Sequence, residues 1–255
     1  MPILVEKDGP ITIISIDRPE VRNCVNPETA EELAAAWREF DADSEQKVGV
    51  FAGVETGFCA GFDLKAVAAG DVQRTTDDSD GPMGPSRMLL SKPVVGAISG
   101  HAVAGGLELA LWCDMRVAEE DAILGVYCRR WGVPLIDGGT IRLPRLIGLG
   151  HAMDMILTGR GVPADEALRM GLVNRVVPKG AARDEAIAVA HGLCKFPQFC
   201  MNSDRLSAYE QFGMSLDDAI LNEFHRGKEA LKHGTREGAT RFAEGKGRGG
   251  DFGDI

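Results

Sequence analysis

The sequence has no excess of positive charge, no long apolar run and no signal-peptide pattern. Its 28 basic residues are outnumbered by 38 acidic ones, which gives a formal net charge of −10. Binding to nucleic acids or to anionic membranes is therefore not expected. No apolar run reaches the roughly 18 residues of a membrane-spanning helix, and the start, MPILVEKDG, lacks a basic segment followed by an apolar one. We expect a cytoplasmic protein.

Motifs for metal, nucleotide and serine-hydrolase chemistry are also missing. The six cysteines have no CxxC spacing, so neither a zinc site nor a disulfide framework is indicated. The sequence contains no GxxxxGK[ST], HExxH or GxSxG motif. A formal GxGxxG at residues 245–250 follows no predicted strand, so it is not a dinucleotide-binding fingerprint. We expect no metal and no separate cofactor.

What is present predicts an α/β core followed by a helical element. The chain has 255 residues, enough for one large core. Predicted strands at 11–16, 48–52, 94–98, 115–118 and 123–125 alternate with helical segments through residue 177, whereas residues 181–244 are helical almost throughout. We divide the chain into an α/β core at 1–195 and a C-terminal helical element at 196–255.

The most informative stretch is KPVVGAISGHAVAGGLELALWCD at residues 92–114. An apolar strand runs through a glycine turn into an apolar helix that begins at Gly105, and Glu108 is the one carboxylate on that helix. Free N–H groups at a helix N-terminus, beside side-chain-free Gly105 and Gly106, suit an anionic oxygen. Tight packing of small residues is the alternative.

Two further segments are expected near this turn. The octapeptide FCAGFDLK at 58–65 follows the strand at 48–52, and residues 127–140 show no clear period, as in a loop that lines a site. Residues 71–85 are acidic and contain GPMGP, a pattern typical of a mobile surface loop, and a lid over the site is one role for it.

Three blocks in this order resemble the crotonase (enoyl-CoA hydratase/isomerase) superfamily: FCAGFDLK, residues 92–114, and PLIDGGTIRLPRLIG at 134–148. The resemblance extends from RPEVRNCVN at residue 18 to RFAEGKGRGGDF near the end. It implies a crotonase-like spiral of ββα units with a helical C-terminal trimerisation element. The implied assembly is a homotrimer or a dimer of trimers, and the implied partner is an acyl-CoA thioester, with coenzyme A as part of the substrate.

By this resemblance, the backbone N–H groups of Phe62 and Gly105 form an oxyanion hole for the thioester enolate. Glu108 matches the first catalytic glutamate of the hydratases. The residues expected to contact substrate or coenzyme A are Arg22, Cys24, Ala60, Asp63, Leu64, Lys65 and Cys128. Arg22 and Lys65 each have the alternative of a solvated surface charge.

The sequence departs from the hydratase pattern at Cys128, where an ungapped count puts the second glutamate. A neutral thiol is a poor hydrogen-bond acceptor and cannot deprotonate water as a carboxylate does. Asp137 resembles the aspartate of dienoyl-CoA isomerases and offers a second acid, although capping of the following helix is an equal alternative. Arg129 or Arg130 as an ion-pair partner would make Glu108 structural.

Three functions remain open at this point. Hydration of 2-enoyl-CoA to 3-hydroxyacyl-CoA is preferred, with Glu108 and Asp137 as the catalytic carboxyl groups. An enoyl- or dienoyl-CoA isomerase is the alternative because of Cys128. The third function is acyl-CoA binding without turnover. For Cys128 itself we favour an inert thiol over a nucleophile, because the sequence supplies no neighbouring base.

Overall fold

The computed structural model describes residues 2–55, 57–70, 75–250 and 252–253. Short 3-10 helices occur at Pro19–Val21, Tyr127–Trp131 and Arg248–Gly250. The strands and helices in chain order are β1 (Ile3–Asp8), β2 (Ile11–Ile16), α1 (Pro27–Ala42), β3 (Val48–Gly53), α2 (Leu64–Ala68), β4 (Val94–Ile98), β5 (His101–Val103), α3 (Gly105–Trp112), β6 (Met115–Glu119), β7 (Ile123–Gly125), α4 (Gly139–Thr158), β8 (Gly161–Pro163), α5 (Ala164–Met170), β9 (Arg175–Val177), α6 (Ala182–Cys194), α7 (Gln198–Glu210), α8 (Leu216–Ala230) and α9 (Thr235–Ala243).

The strands form two sheets, and from β4 to β7 successive strands alternate between them. The larger sheet has the order β1-β2-β3-β4-β6-β9, and only β1 pairs antiparallel in it. The smaller sheet has the order β5-β7-β8, with β5 and β7 parallel. The units β4-β5-α3 and β6-β7-α4 each place one strand in each sheet, which confirms the predicted spiral of ββα units.

The larger sheet is covered on both faces, which explains why its central strands are continuous apolar runs. One face packs against α1 and α3, with Trp37, Phe51 and Leu107 in the buried cluster. The other face packs against α6 through Val50 and Ala186. Helix α1 begins with Pro27 in its first turn, and Asn26 Oδ1 accepts a hydrogen bond from the N–H of Thr29 at 2.9 Å.

The C-terminal helices α7, α8 and α9 confirm the predicted helical composition and leave many apolar side chains exposed. The proposed boundary after residue 195 falls between α6 and α7, and the division into two domains stays a prediction. Across the described ranges, no helix is long and apolar enough to cross a membrane. The exposed apolar side chains of this region include Leu216, Ile220, Leu221, Phe224, Leu231 and Phe242.

Helix α4 has a non-helical kink at Gly148. One loop prediction was only partly right. The prediction of a surface loop at 71–85 is wrong for its last part, because residues 81–86 are buried. Within this segment, residues 71–74 lie outside the described residues. The buried part is close-packed, since a Cβ on Gly84 would lie 2.7 Å from the backbone oxygen of Ala30 in α1.

Candidate functional site

A cavity of about 320 Å³ lies between the N-terminus of α3, the turn before α2 and the segment from Tyr127 to Asp137. Cys24, Asp63 and Lys65 lie outside its lining. The structure thus brings most of the predicted site residues together around one space. Those that line it are Arg22, Ala60, Phe62, Leu64, Gly105, Glu108, Cys128 and Asp137.

Two glycines allow the turn before α2 to approach the start of α3. A Cβ on Gly61, which has φ +100°, would lie 2.8 Å from Ala104 Cβ and 3.0 Å from the backbone nitrogen of Gly105. A Cβ on Gly106 would lie 2.0 Å from the backbone oxygen of Cys59. The close backbone approach therefore depends on the missing side chains.

The approach places two free N–H groups on the cavity, those of Phe62 and Gly105. Around Phe62 the flanking groups are used, because the N–H of Val25 donates to Gly61 O and the N–H of Asp63 donates to Val25 O. Among the hydrogen bonds of the described residues, neither the Phe62 N–H nor the Gly105 N–H has an acceptor. Two such donors on one cavity can hold a developing oxyanion.

Glu108 is buried, with 2% of its surface exposed, and its Oε1 atom accepts two hydrogen bonds. Oε1 accepts hydrogen bonds from the backbone N–H groups of Asp137, at 2.9 Å, and Gly139, at 2.8 Å. Burial, together with the negative charge of Asp137, raises the pKa of Glu108 to about 7. The group is thus poised to exchange a proton near neutral pH.

Neither Arg129 nor Arg130 is an ion-pair partner of Glu108. Arg129 Nε donates to the backbone oxygen of Ile156 at 3.0 Å. The Arg130 guanidinium lies over the Tyr127 ring, 4.4 Å from its centroid. Glu108 is held by backbone N–H groups instead, so the sequence alternative of a structural ion pair is wrong.

Asp137 is held from the opposite side by the buried segment 81–86. Its Oδ1 accepts a hydrogen bond from the N–H of Met83 at 2.9 Å and another from the Ser86 hydroxyl. The residue flanking α4 is Gly138, and α4 has no side-chain cap, so the capping role considered for Asp137 is wrong. Burial raises the pKa of Asp137.

Both carboxyl groups keep one oxygen free. Among the described residues, Glu108 Oε2 and Asp137 Oδ2 accept no hydrogen bond, and neither belongs to the fully buried polar atoms that lack a partner. Both residues line the cavity. The arrangement therefore offers two carboxyl oxygens for general acid–base chemistry beside two free N–H donors.

Cys128 lies in the 3-10 helix at Tyr127–Trp131 and lines the same cavity. Burial and the charge of Glu108 raise the pKa of its thiol, so the thiol stays neutral at pH 7. This supports the inert alternative over the nucleophile. Within the described residues, no cluster of three or more His, Cys, Asp or Glu side chains could hold a metal ion.

The residues predicted to contact coenzyme A divide into two groups. Arg22, Ala60, Leu64 and Cys128 line the cavity. Asp63 is occupied elsewhere: its Oδ1 caps α2 through the N–H groups at positions 65 and 66, and its Oδ2 lies 3.2 Å from a guanidinium nitrogen of Arg18. Contacts of Cys24, Asp63, Lys65 and the lining residues with coenzyme A stay predictions.

Sequence reasoning missed Met83 and Ser86. Both are buried in a segment whose glycines and prolines are typical of an exposed loop. No periodic pattern marks them, because the segment is neither helix nor strand. The signal that was available is the lack of charge in GPMGPS at 81–86, after the acidic residues 77–80.

Comparisons with known proteins show which family the chain resembles over most of its length. The family model described as enoyl-CoA hydratase/isomerase matches residues 6–248. The enoyl-CoA hydratase EchA19 of Mycobacterium tuberculosis (strain ATCC 25618 / H37Rv) is 34% identical over 251 residues, which cover 94% of this chain and 93% of the relative. The (E)-benzylidenesuccinyl-CoA hydratase of Thauera aromatica is 34% identical and covers 87% of both chains. A crystal structure of enoyl-CoA hydratase from M. tuberculosis H37Rv has a TM-score of 0.90 at 34% identity, covering 95% of this chain and 96% of that chain.

Proposed function

The chain belongs to the enoyl-CoA hydratase/isomerase family, and on that premise we propose that its cavity adds water to a 2-enoyl-CoA thioester through Glu108 and Asp137. Its general activity is that of a hydratase-type acyl-CoA enzyme. The substrate is the acyl-CoA itself, and the proposal includes no separate cofactor.

One observation carries the assignment of the two residues. Glu108 and Asp137 line one cavity, each with one oxygen anchored by two donors and the other free. Hydration needs a group that takes a proton from water and a group that gives a proton to carbon. Cys128, a neutral thiol, supplies neither, whereas Asp137 supplies the missing carboxyl group.

We assign the roles from the charges of the two carboxyl groups. Burial and the negative charge of Asp137 raise the pKa of Glu108 to about 7, so we place the proton on Glu108 and the carboxylate form on Asp137. Asp137 therefore accepts a proton from water as the water oxygen bonds to C3 of the enoyl group. The electrons of the double bond move into the thioester, whose oxygen is held by the N–H groups of Phe62 and Gly105. Glu108 then donates its proton to C2, which completes 3-hydroxyacyl-CoA.

The remaining expectations extend this proposal. Arg22 and Lys65 meet phosphates of coenzyme A, and Cys24, Ala60, Asp63 and Leu64 follow its pantetheine and adenine. The core at 1–195 holds the site and the element at 196–255 assembles a trimer or a dimer of trimers, which the exposed apolar side chains of α8 and α9 support. A cytoplasmic location stays a prediction.

The test is Asp137→Asn, measured on crotonyl-CoA by loss of the enoyl absorbance. The variant keeps the shape but cannot take a proton, so kcat should fall by about 10²- to 10⁴-fold, the usual contribution of one acid–base group. Hydration at the wild-type rate would overturn the role of Asp137. Conversion of a 3-enoyl-CoA to the 2-enoyl isomer, without hydration by the wild type, would make the enzyme an isomerase.

Asp41→Asn is the matched control. Asp41 Oδ1 also accepts hydrogen bonds from a backbone N–H and a hydroxyl, both of Ser91, at 2.9 and 2.7 Å. These bonds lie on the exposed surface, outside the cavity. The control should hydrate crotonyl-CoA at the wild-type rate, which separates loss of an acid–base group from loss of a similar hydrogen-bond pair.

A further inference from the structure

Ser86 contacts the carboxyl group of Asp137 from behind the cavity. It is 1% exposed and is not part of the cavity lining. Its hydroxyl donates to Asp137 Oδ1, 51 residues further along the chain. Because the hydroxyl bonds a carboxyl group of the cavity without lining that cavity, its direct contact with the site is through Asp137.

The hydrogen bonds at Oδ1 decide which oxygen of Asp137 reacts. The N–H of Met83 and the hydroxyl of Ser86 both donate to Oδ1. Two donors occupy the lone pairs of that atom. The lone pairs left for a proton are then those of Oδ2, the oxygen without a partner among the described residues.

Ser86 is itself fixed by its surroundings. Arg142 donates through one guanidinium nitrogen to the backbone oxygen of Ser86, at 2.7 Å, and through the other to that of Asp137, at 2.9 Å. A planar guanidinium holds two acceptors in a set relation. A Cβ on Gly81 would lie 2.0 Å from Ser86 Oγ, so this glycine leaves the room that the hydroxyl occupies.

From these contacts we propose that Ser86 is a positioning residue, whose hydroxyl, together with the N–H of Met83, turns Oδ2 of Asp137 toward the water that is added to the enoyl-CoA. The inference rests on the proposed function, since it needs Asp137 to accept the proton. It adds a residue that lies outside the lining of the catalytic cavity.

The first experiment is Ser86→Ala, assayed with crotonyl-CoA over a range of pH. A misdirected carboxylate should lower kcat by roughly 10- to 100-fold, the scale of a small displacement at a reacting group, with little change in KM. The lost donor stabilised the carboxylate form of Asp137. Its pKa therefore rises, and the acidic limb of the kcat profile should move to higher pH. Ser86→Thr, which keeps the hydroxyl, should restore both values.

A double-mutant cycle separates positioning from general stability. With Asn at position 137 there is no carboxylate to orient, so adding Ser86→Ala to Asp137→Asn should cause no further loss of kcat. If the alanine variant does not fold, Ser86→Cys carries the same prediction, because a thiol of similar size is only a weak donor. The control is Ser91→Ala, which removes the exposed hydroxyl that bonds Asp41 and should leave kcat unchanged.

Two results would overturn the inference: a wild-type kcat and pH profile in both Ser86→Ala and Ser86→Cys, or an equal loss from Ser86→Ala in the wild type and in the Asp137→Asn background. These results are distinct from failure of the proposed function. If Asp137→Asn hydrates crotonyl-CoA normally, the proposed function fails. If Asp137→Asn is inactive while Ser86→Ala is normal, the positioning role alone fails.

Discussion

Glu108 and Asp137 meet in one cavity but are anchored by different means. Glu108 is held by N–H groups of the backbone only, from residues 137 and 139. Asp137 is held by one backbone N–H group and one side-chain hydroxyl, 54 and 51 residues away in the chain. Every residue except proline carries a backbone N–H donor, whereas a hydroxyl is lost with a single substitution. The donors of Glu108 therefore depend less on side-chain identity than those of Asp137 do.

This difference bears on how the site can work without a carboxylate at position 128. The position that resembles the second hydratase glutamate holds Cys128, while Glu108 is held by backbone N–H groups of residues 137 and 139. Asp137 enters the same cavity from the next loop, with Ser86 and Arg142 around it. The four predictions below test this contrast, starting with the largest expected effect.

Replacement of the backbone-held acid should have the largest effect. Glu108→Gln keeps an oxygen for the N–H groups of Asp137 and Gly139 but cannot donate a proton to C2. We expect a loss in kcat of about 10²- to 10⁴-fold on crotonyl-CoA, with the fold intact. The control is Glu119→Gln, since Glu119 is also buried but lies outside the cavity lining. Equal activity of Glu108→Gln and wild type would remove Glu108 from the mechanism.

The backbone anchor itself can be disturbed with one methyl group. A Cβ on Gly139 would lie 2.8 Å from Glu108 Oε1 and 3.0 Å from its Cγ, so Gly139→Ala should displace the carboxylate. We expect a kcat about 10- to 100-fold lower and a free energy of unfolding lower by about 1 to 3 kcal/mol. Gly150→Ala, on the same helix with no atom within 4 Å of the added Cβ, is the control. If Gly139→Ala and Gly150→Ala have the same kcat and the same free energy of unfolding, the close contact at position 139 does not affect the position of Glu108.

The burial of Glu108 predicts a pH dependence of stability. Its pKa rises from 4.5 to about 7 on folding, so the folded state favours the protonated form. As pH rises from about 4.5 to about 7, wild type should lose stability relative to Glu108→Gln, by an amount on the order of a few kcal/mol. Above pH 7 the difference should stay constant. Urea unfolding of both proteins at several pH values measures it, and a constant difference across that range would contradict the raised pKa.

The smallest effect is expected at the position that resembles the missing glutamate. Cys128 has a neutral thiol, and the proposed mechanism does not use it. Cys128→Ala should change kcat on crotonyl-CoA by less than about 3-fold, although loss of one buried side chain lowers stability by about 1 kcal/mol. A loss of kcat comparable to that of Glu108→Gln would mean that the thiol takes part in the reaction. Positions 108 and 128 would then both contribute to catalysis.

The sequence predicts the Glu108 side of the site well. The strand at 94–98, the glycine turn and the helix from Gly105 follow from local apolar and glycine patterns, and all three are present. Because the proposed oxyanion donors and the support of Glu108 belong to the backbone, correct local structure is enough to place them. The strand β5, with only three residues, was missed because alternation cannot be read over so short a segment.

The Asp137 side could not be predicted in the same way. Its support comes from residues 81–86, where glycine and proline suggest exposure and where burial results from contacts with α1 and with Asp137 itself. Such contacts join segments more than 50 residues apart, and no local pattern encodes them. The position of Asp137 in the sequence indicated a second acid, but not what holds it.

The distance along the chain between Glu108 and its donors also has a consequence during synthesis. The N–H groups that satisfy Oε1 belong to residues 29 and 31 positions later. At usual rates of translation, roughly 5 to 20 residues per second, they emerge a few seconds after Glu108 does. Until then, a carboxylate without partners on an apolar helix opposes burial of that face. The ribosome-bound chain should therefore keep α3 undocked until the residues that complete the site have been made.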